Sequence, residues 1–310
     1  MKGSVALRFD RVTKRYSRRA PPALDEATFE IPRGVITGFV GHNGAGKTTA
    51  FSVVGGFLKP DAGTVDILGR GPFHPQKMKG LLGVLPQDAE LPDRHTPHEL
   101  CTHLARLQGL AGGAAAQEAD RILEVVDLTD RRRARIGALS HGMRRRMAVA
   151  TALVGSPPLV LLDEPLAGLD PIQAHQLRDA LAKLRGHQTL VVSSHDLSEL
   201  ERLSDWVVIL RDGRCQTQGP IGEVTGEGEI VSWEVGEGPL PVEALRARLP
   251  SHAFDVEDGM LIERSPKSAD LDASSVIVME VLAAARIPVR SVRRGVGLER
   301  RFIDDMRTGG

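Results

Sequence analysis

Cysteine is scarce in this chain of 310 residues: only Cys101 and Cys215 occur, far apart and outside any CxxC or Cys/His spacing. That excludes a disulfide framework and a zinc site, and leaves two reduced thiols as the expectation. Aromatic residues make up 4%, too few for platforms on which nucleic-acid bases stack. An excess of one charge is also missing, because 40 Lys and Arg balance 40 Asp and Glu. A dedicated nucleic-acid binder is clearly basic, so no nucleic acid is expected as a partner. The longest apolar runs, such as LVLL at 159–162, fall far short of the roughly 20 residues of a membrane-spanning helix. The stretch MKGSVALRFDRVTKRY at the start is broken by charges and has no signal-peptide core. A soluble protein is expected, unless it docks onto a membrane partner.

What is present is the composition of an ordinary globular chain, 41% hydrophobic and 26% charged. The length suits one large or two ordinary domains. Residues 4–12, 27–31 and 64–68 read as short strands, and VITGFV at 35–40 as a buried parallel strand running into a glycine-rich turn. From about 92 to 155 the pattern turns helical, with Leu100, Leu104 and Leu107 at helical spacing. AGGAAA at 111–116 reads as a low-complexity link within this region. The Arg clusters at 131–133 and 144–146 read as solvated faces or turns. Strands follow at 159–163 and 189–195, separated by an amphipathic helix at 172–185. A hairpin at 206–219 turns on Asp212-Gly213. Then GEVTGEGE at 222–229 is linker-like, and the rest reads as a small α+β appendage with helices near 242–249, 274–286 and 298–307 and strands near 253–263.

The sharpest signal is Gly41-His42-Asn43-Gly44-Ala45-Gly46-Lys47-Thr48, which fits G-x-x-x-x-G-K-[ST]. Glycines let the backbone wrap a polyphosphate, and successive N–H groups then form an anion-binding nest. The helix that follows offers its positive end to the same charge. Lys47 is placed to reach the β- and γ-phosphates, and Thr48 to put its hydroxyl on Mg2+. Thr49 continues the same segment. Asp163 ends the apolar strand 159–163, where an acid that holds Mg2+ belongs. Glu164 follows and suits a base that orients and deprotonates an attacking water.

Many nucleotide hydrolases share these features, so they do not fix the function. No NKxD-type guanine reader is found. Over about residues 4–220 the sequence resembles the ATP-binding cassette (ABC) ATPases. LSHGM at 139–143 resembles their LSGGQ signature, with Ser140 as an N-cap and Gly142 retained. Gln87 in VLPQD matches the glutamine loop, counted with Thr48 and Asp163 at the metal. Asp170 matches the acid of the loop after the acidic strand, His195 the switch histidine, and Tyr16 the adenine-stacking aromatic. His141 stands where the first signature glycine belongs, to obstruct the approach to phosphate or to add a donor, and Met143 replaces the final glutamine. The string LSHGMRRRM, with the tail LERRFIDDM at 298–306, is similar to the drug-resistance and ABC-2-type exporters.

The resemblance implies an α/β P-loop NTPase core with an antiparallel β subdomain and a helical subdomain at about 88–155. This ATP-binding domain is expected over 1–222, with an accessory domain over 223–310. It further implies an ATPase using ATP and Mg2+. Catalysis would rest on Glu164, His195 and Gln87. ATP would be held by Tyr16, Gly41, Asn43, Gly44, Ala45, Gly46, Lys47, Thr48, Thr49, Ser140, Gly142 and Asp170. In a head-to-tail homodimer, Ser140 and Gly142 of one copy would face the phosphate loop of the other. Having no membrane span of its own, the chain would need a separate transmembrane permease and sit on the cytoplasmic face of the membrane. Export is the expected direction. A soluble ABC-type ATPase without a transport role and a weakly catalytic nucleotide-dependent regulator are the alternatives.

Overall fold

The structure is a computed structural model and describes residues 4–17, 19–257 and 259–307. The chain divides into two compact units, one ending at Gln218 and one starting at Gly219, a few residues before the boundary expected between 222 and 223.

The first unit opens with β1 (Val5–Lys14), β2 (Leu24–Pro32) and β3 (Ile36–Val40), then α1 (Lys47–Val54), β4 (Ala62–Ile67) and β5 (Leu82–Leu85). Three helices follow: α2 (Pro97–Leu107), α3 (Gly112–Val125) and α4 (His141–Leu153). The unit closes with β6 (Leu159–Leu162), α5 (Pro171–Ala182), β7 (Thr189–Ser193), α6 (Leu197–Leu203), β8 (Trp206–Arg211) and β9 (Arg214–Pro220). One sheet has the order β2-β1-β4 and is antiparallel; the other runs β5-β6-β7-β3-β8-β9, with parallel pairing from β5 to β8. The residues of β3, β6 and β7 are all buried, as in a parallel sheet covered on both faces. The Asp212-Gly213 turn has φ of 48° and 78°, the double positive φ of a tight hairpin.

A chain of four rings joins α1 to both sheets. Phe9 and Phe29 of the antiparallel sheet stack at 4.4 Å, Phe29 meets Phe39 of β3 at 5.5 Å, and Phe39 meets Phe51 of α1 at 5.4 Å. Such pairs add to the burial of their apolar area.

The helical region departs from expectation in two places. AGGAAA is not a link: Gly112 begins α3, and Ala115 and Ala119 are buried beside Ile122 and Leu123. Alanine is the strongest helix former and its small side chain allows close packing, which a low-complexity reading overlooks. Nor are residues 144–146 a solvated face. Arg144 pairs with Asp93 at 2.5 Å, and Arg146 is 6% exposed, donating to the Val126 and Asp127 carbonyls and the Asp127 carboxylate. Arg145 turns toward the end of β6. α2 starts with a reciprocal capping box between Thr96 and Glu99, directly before Pro97.

The second unit holds α7 (Ile221–Thr225), β10 (Ile230–Val235), α8 (Val242–Arg248), β11 (Ala253–Glu257), β12 (Met260–Arg264), α9 (Leu271–Ala284), β13 (Val289–Arg294) and α10 (Leu298–Arg307). Its antiparallel sheet has the order β11-β12-β10-β13 and builds a core around fully buried Trp233. The linker-like stretch at 222–229 is in part the short α7. Among the described residues, no helix is long and apolar enough to cross a membrane.

Candidate nucleotide and catalytic site

β3 ends at Val40 and α1 begins at Lys47, so the glycine-rich segment is the turn between a buried strand and a helix. Gly44 and Gly46 have φ of 85° and 107°, conformations that side chains strain to adopt. A Cβ on Gly46 would also overlap the Ala23 carbonyl oxygen. α1 has no side-chain cap and no acid in its first turn, so its N-terminal N–H groups keep their affinity for an anion.

The Lys47 ammonium donates to the carbonyls of Gly41 at 2.5 Å and His42 at 3.2 Å. Burial lowers its pKa, while the charges of Glu164 and Asp163 act in the opposite direction. The Thr48 hydroxyl donates to Asp163 Oδ2 at 3.0 Å, and buried Ser193 donates to Asp163 Oδ1 at 2.5 Å. The same Ser193 oxygen accepts from the Glu164 backbone N–H at 2.9 Å. β6 and β7 are neighbours in the sheet, which is what brings residues thirty apart to one point. Glu164 has φ 52°, a left-handed conformation costing an L residue about 1–2 kcal/mol. Its carboxylate accepts from His195 Nδ1 at 2.8 Å, with the Glu164 side chain largely buried and the imidazole 72% exposed.

These groups surround a cavity of about 400 Å³ lined by Tyr16, Ala23, His42, Asn43, Gly44, Gly46, Lys47, Thr48, Thr49, Gln87, Asp163 and Glu164. The Tyr16 ring is 66% exposed, and its hydroxyl lies 3.2 Å from Thr49 Oγ1. Gly41 and Ala45 are not in the lining; they build the loop, and Ala45 donates its N–H to the His42 carbonyl. His195 reaches the site through Glu164.

Ser140, Gly142 and Asp170 lie outside this cavity and form a second group. Ser140 caps α4 by accepting from Met143 N at 3.3 Å, and Asp170 caps α5 by accepting from Gln173 N at 2.9 Å. The Gln173 amide lies over the Cα of Gly142, where a Cβ would overlap it. His141 lies against Gly168: a Cβ there would be 2.6 Å from Nε2.

Two residues of the site were not singled out from the sequence. Ser193 is the last residue of β7, which ends two residues short of the strand expected over 189–195, so His195 lies in the bend beyond it. Arg145 lay hidden in a charge run.

A family model described as ABC transporter matches residues 24–167. The chain is 36% identical over 214 residues to the Nod factor export ATP-binding protein I of Burkholderia thailandensis, covering 68% of this chain and 69% of that protein. This chain belongs to the ABC transporter family. It carries the family's ATP-binding domain and is an ABC ATPase. It is also 39% identical to the human phospholipid-transporting ATPase ABCA7, over 87% of this chain but only 12% of that protein's length. Among solved structures, cbiO1 from Clostridium perfringens, described as part of the ABC transporter complex cbiONQ, aligns at TM-score 0.65 and 26% identity. That match covers 80% of this chain and 96% of cbiO1. The expected P-loop core with antiparallel and helical subdomains is thus the ABC fold.

The residues present suit a divalent cation. The Thr48 hydroxyl, the Asp163 carboxylate and the Gln87 amide are hard oxygen donors, and Mg2+ takes one or two carboxylates together with substrate phosphates and water. Among the described residues, no group of three or more His, Cys, Asp or Glu forms a metal cage.

Proposed function

We propose that this chain is the ATP-hydrolysing subunit of an ABC exporter, working as a homodimer on the cytoplasmic face of the membrane with a separate transmembrane permease. The observation that carries the hydrolytic reading is the hydrogen-bonded series Thr48–Asp163–Ser193–Glu164–His195 beside the glycine-rich loop. Tyr16 stacks on the adenine, while the loop N–H groups, Lys47 and the α1 terminus hold the phosphates. Thr48, Asp163 and Gln87 would hold Mg2+, which when bound would neutralise phosphate charge. Glu164 orients a water and takes its proton as the water oxygen bonds to the γ-phosphorus; the bond to the β-phosphate oxygen breaks, giving ADP and phosphate. His195 holds the Glu164 carboxylate from the solvent side and meets the γ-phosphate.

Ser140, Gly142 and Asp170 serve the nucleotide of the second copy, and their place outside the cavity of their own chain supports that role. His141 is seated against Gly168 of its own chain. The exporter direction is supported by the likeness to the Nod factor export ATP-binding protein I. The test is Glu164→Gln in the full chain with Mg2+ and ATP. Turnover should vanish, and an ATP-bound dimer should accumulate on size exclusion. Wild-type turnover in this variant rejects Glu164 as the base. Co-purification with a polytopic membrane protein tests the permease.

A further inference from the structure

The three consecutive arginines of α4 have separate partners. Arg144 holds Asp93 at the surface, and Arg146 is buried against the turn after α3. Arg145 instead reaches the end of β6. Its Nε donates to the Pro165 carbonyl at 3.3 Å, Nη1 to the Gln87 carbonyl at 3.4 Å, and Nη2 to the Asp163 carbonyl at 2.9 Å and the Glu164 carbonyl. One planar fork therefore spans four backbone oxygens, on the segment that carries both acids and on the glutamine that opens the helical region. A lysine ammonium, a point charge, cannot match that geometry. Burial lowers the guanidinium pKa, with the charges of Glu164, Asp163 and Asp88 opposing it.

Glu164 needs such a clamp. Its φ of 52° is a strained conformation for a residue with a long side chain, and such a conformation persists only where the surroundings over-determine it. Ser193 holds the N–H of Glu164 and Arg145 holds its carbonyl, so the residue is gripped on both sides. α4 starts at the Ser140 cap, and Arg145 lies five residues on, so one rigid helix joins the cap to the clamp.

We propose that Arg145 is a positioning residue for hydrolysis, fixing the backbone of Glu164 so that its carboxylate faces the cavity and linking that backbone to Gln87 and to the capped end of α4. This rests on the reading of Glu164 as the base. Its hydrogen bonds to Pro165, Gln87, Asp163 and Glu164 all go to backbone carbonyls, so what it fixes is the position of that backbone.

The experiment compares the wild-type full chain with R145M, R145K, R144M and E164Q, by steady-state turnover of Mg2+ and ATP and by titration with a fluorescent ATP analogue. R145M should lose about 100-fold in kcat, the scale of an angstrom-level misplacement. Its KM, analogue affinity and binding stoichiometry should stay within about twofold, because the removed interaction acts on orientation and not on nucleotide binding. R144M should keep wild-type turnover. R145M within about threefold of wild-type kcat, or a kcat loss matched by an equal loss of binding stoichiometry, overturns the proposal. Should R145M fail to fold, R145K decides: it keeps the charge and most of the stem, and full kcat in it overturns the fork's role. E164Q separates the two readings. An inactive E164Q beside an active R145M sinks this proposal alone, whereas an active E164Q sinks the assignment of the base.

Discussion

Replacing Ser193 with alanine removes one oxygen that holds two neighbours of opposite kind. It donates to Asp163 Oδ1 at 2.5 Å and accepts from the Glu164 N–H at 2.9 Å, in a fully buried position. A hydrogen bond to a charged group contributes about 1.5–3 kcal/mol, and a stranded buried N–H costs about 1–3 kcal/mol. Asp163 keeps the Thr48 donor and lines the open cavity, so water replaces part of the first loss. A destabilisation of about 2–4 kcal/mol is therefore expected for S193A. At a urea dependence near 3 kcal/mol per molar, the midpoint of the first unit should fall by roughly 1 M. Because the chain has two compact units, the transition should be followed with Trp206 and Trp233 as separate reporters, one in each. Hydrogen exchange gives the local reading: the Glu164 amide loses its acceptor and should exchange faster, while amides in α9 should not change. Turnover should fall too, since Glu164 is then held from the carbonyl side alone. A midpoint within about 0.2 M of wild type, with unchanged protection at Glu164, would refute the reasoning.

Two further expectations concern the phosphate loop. Gly46→Ala should abolish ATP binding, because the new Cβ overlaps the Ala23 carbonyl; Gly44→Ala meets nothing within 4 Å and should cost only the left-handed strain, about 1–2 kcal/mol. Fluorescent-nucleotide titration of both variants separates clash from strain, and equal losses would count against the geometry. Burial holds the Lys47 pKa below its ordinary 10.5 in the folded state. Between that lowered value and 10.5 the folded state binds fewer protons than the unfolded state, so this group's contribution to stability rises with pH across the interval. Phosphates placed beside Lys47 favour its charged form, so ATP binding in that interval should take up protons. Calorimetry in buffers of different ionisation enthalpy measures the uptake, and none would mean that Lys47 is not at the phosphates.

Much of the site was legible because its parts are local. The loop from Gly41 to Thr48 works through backbone conformation and the start of one helix, and both follow from a contiguous string. The buried strands of the parallel sheet announced themselves as apolar runs, and the Asp212-Gly213 hairpin by its turn residues. Short strands with weaker patterns, β5, β10 and β13, were not read, because four to six residues carry little periodic signal and their pairing is non-local. The alanine-rich start of α3 was misread because composition alone does not reveal that Ala115 and Ala119 pack in a core.

The order of residues was enough to specify the glycine-rich turn, the acid pair at the end of β6 and the family, since each depends on residue type at fixed spacing along the chain. Tertiary structure alone decided which hydroxyl joins Asp163 to Glu164, and that Arg145 leaves its charge run to grip the strand end. It also decided that the His141 ring rests on Gly168 of its own chain. Those partners lie between 18 and 30 residues apart in two of the cases, and only the adjacency of β6 and β7 and the docking of α4 make them neighbours. Hydrogen bonds reach about 3 Å, so a long-range one exists only after packing has fixed the elements that carry it.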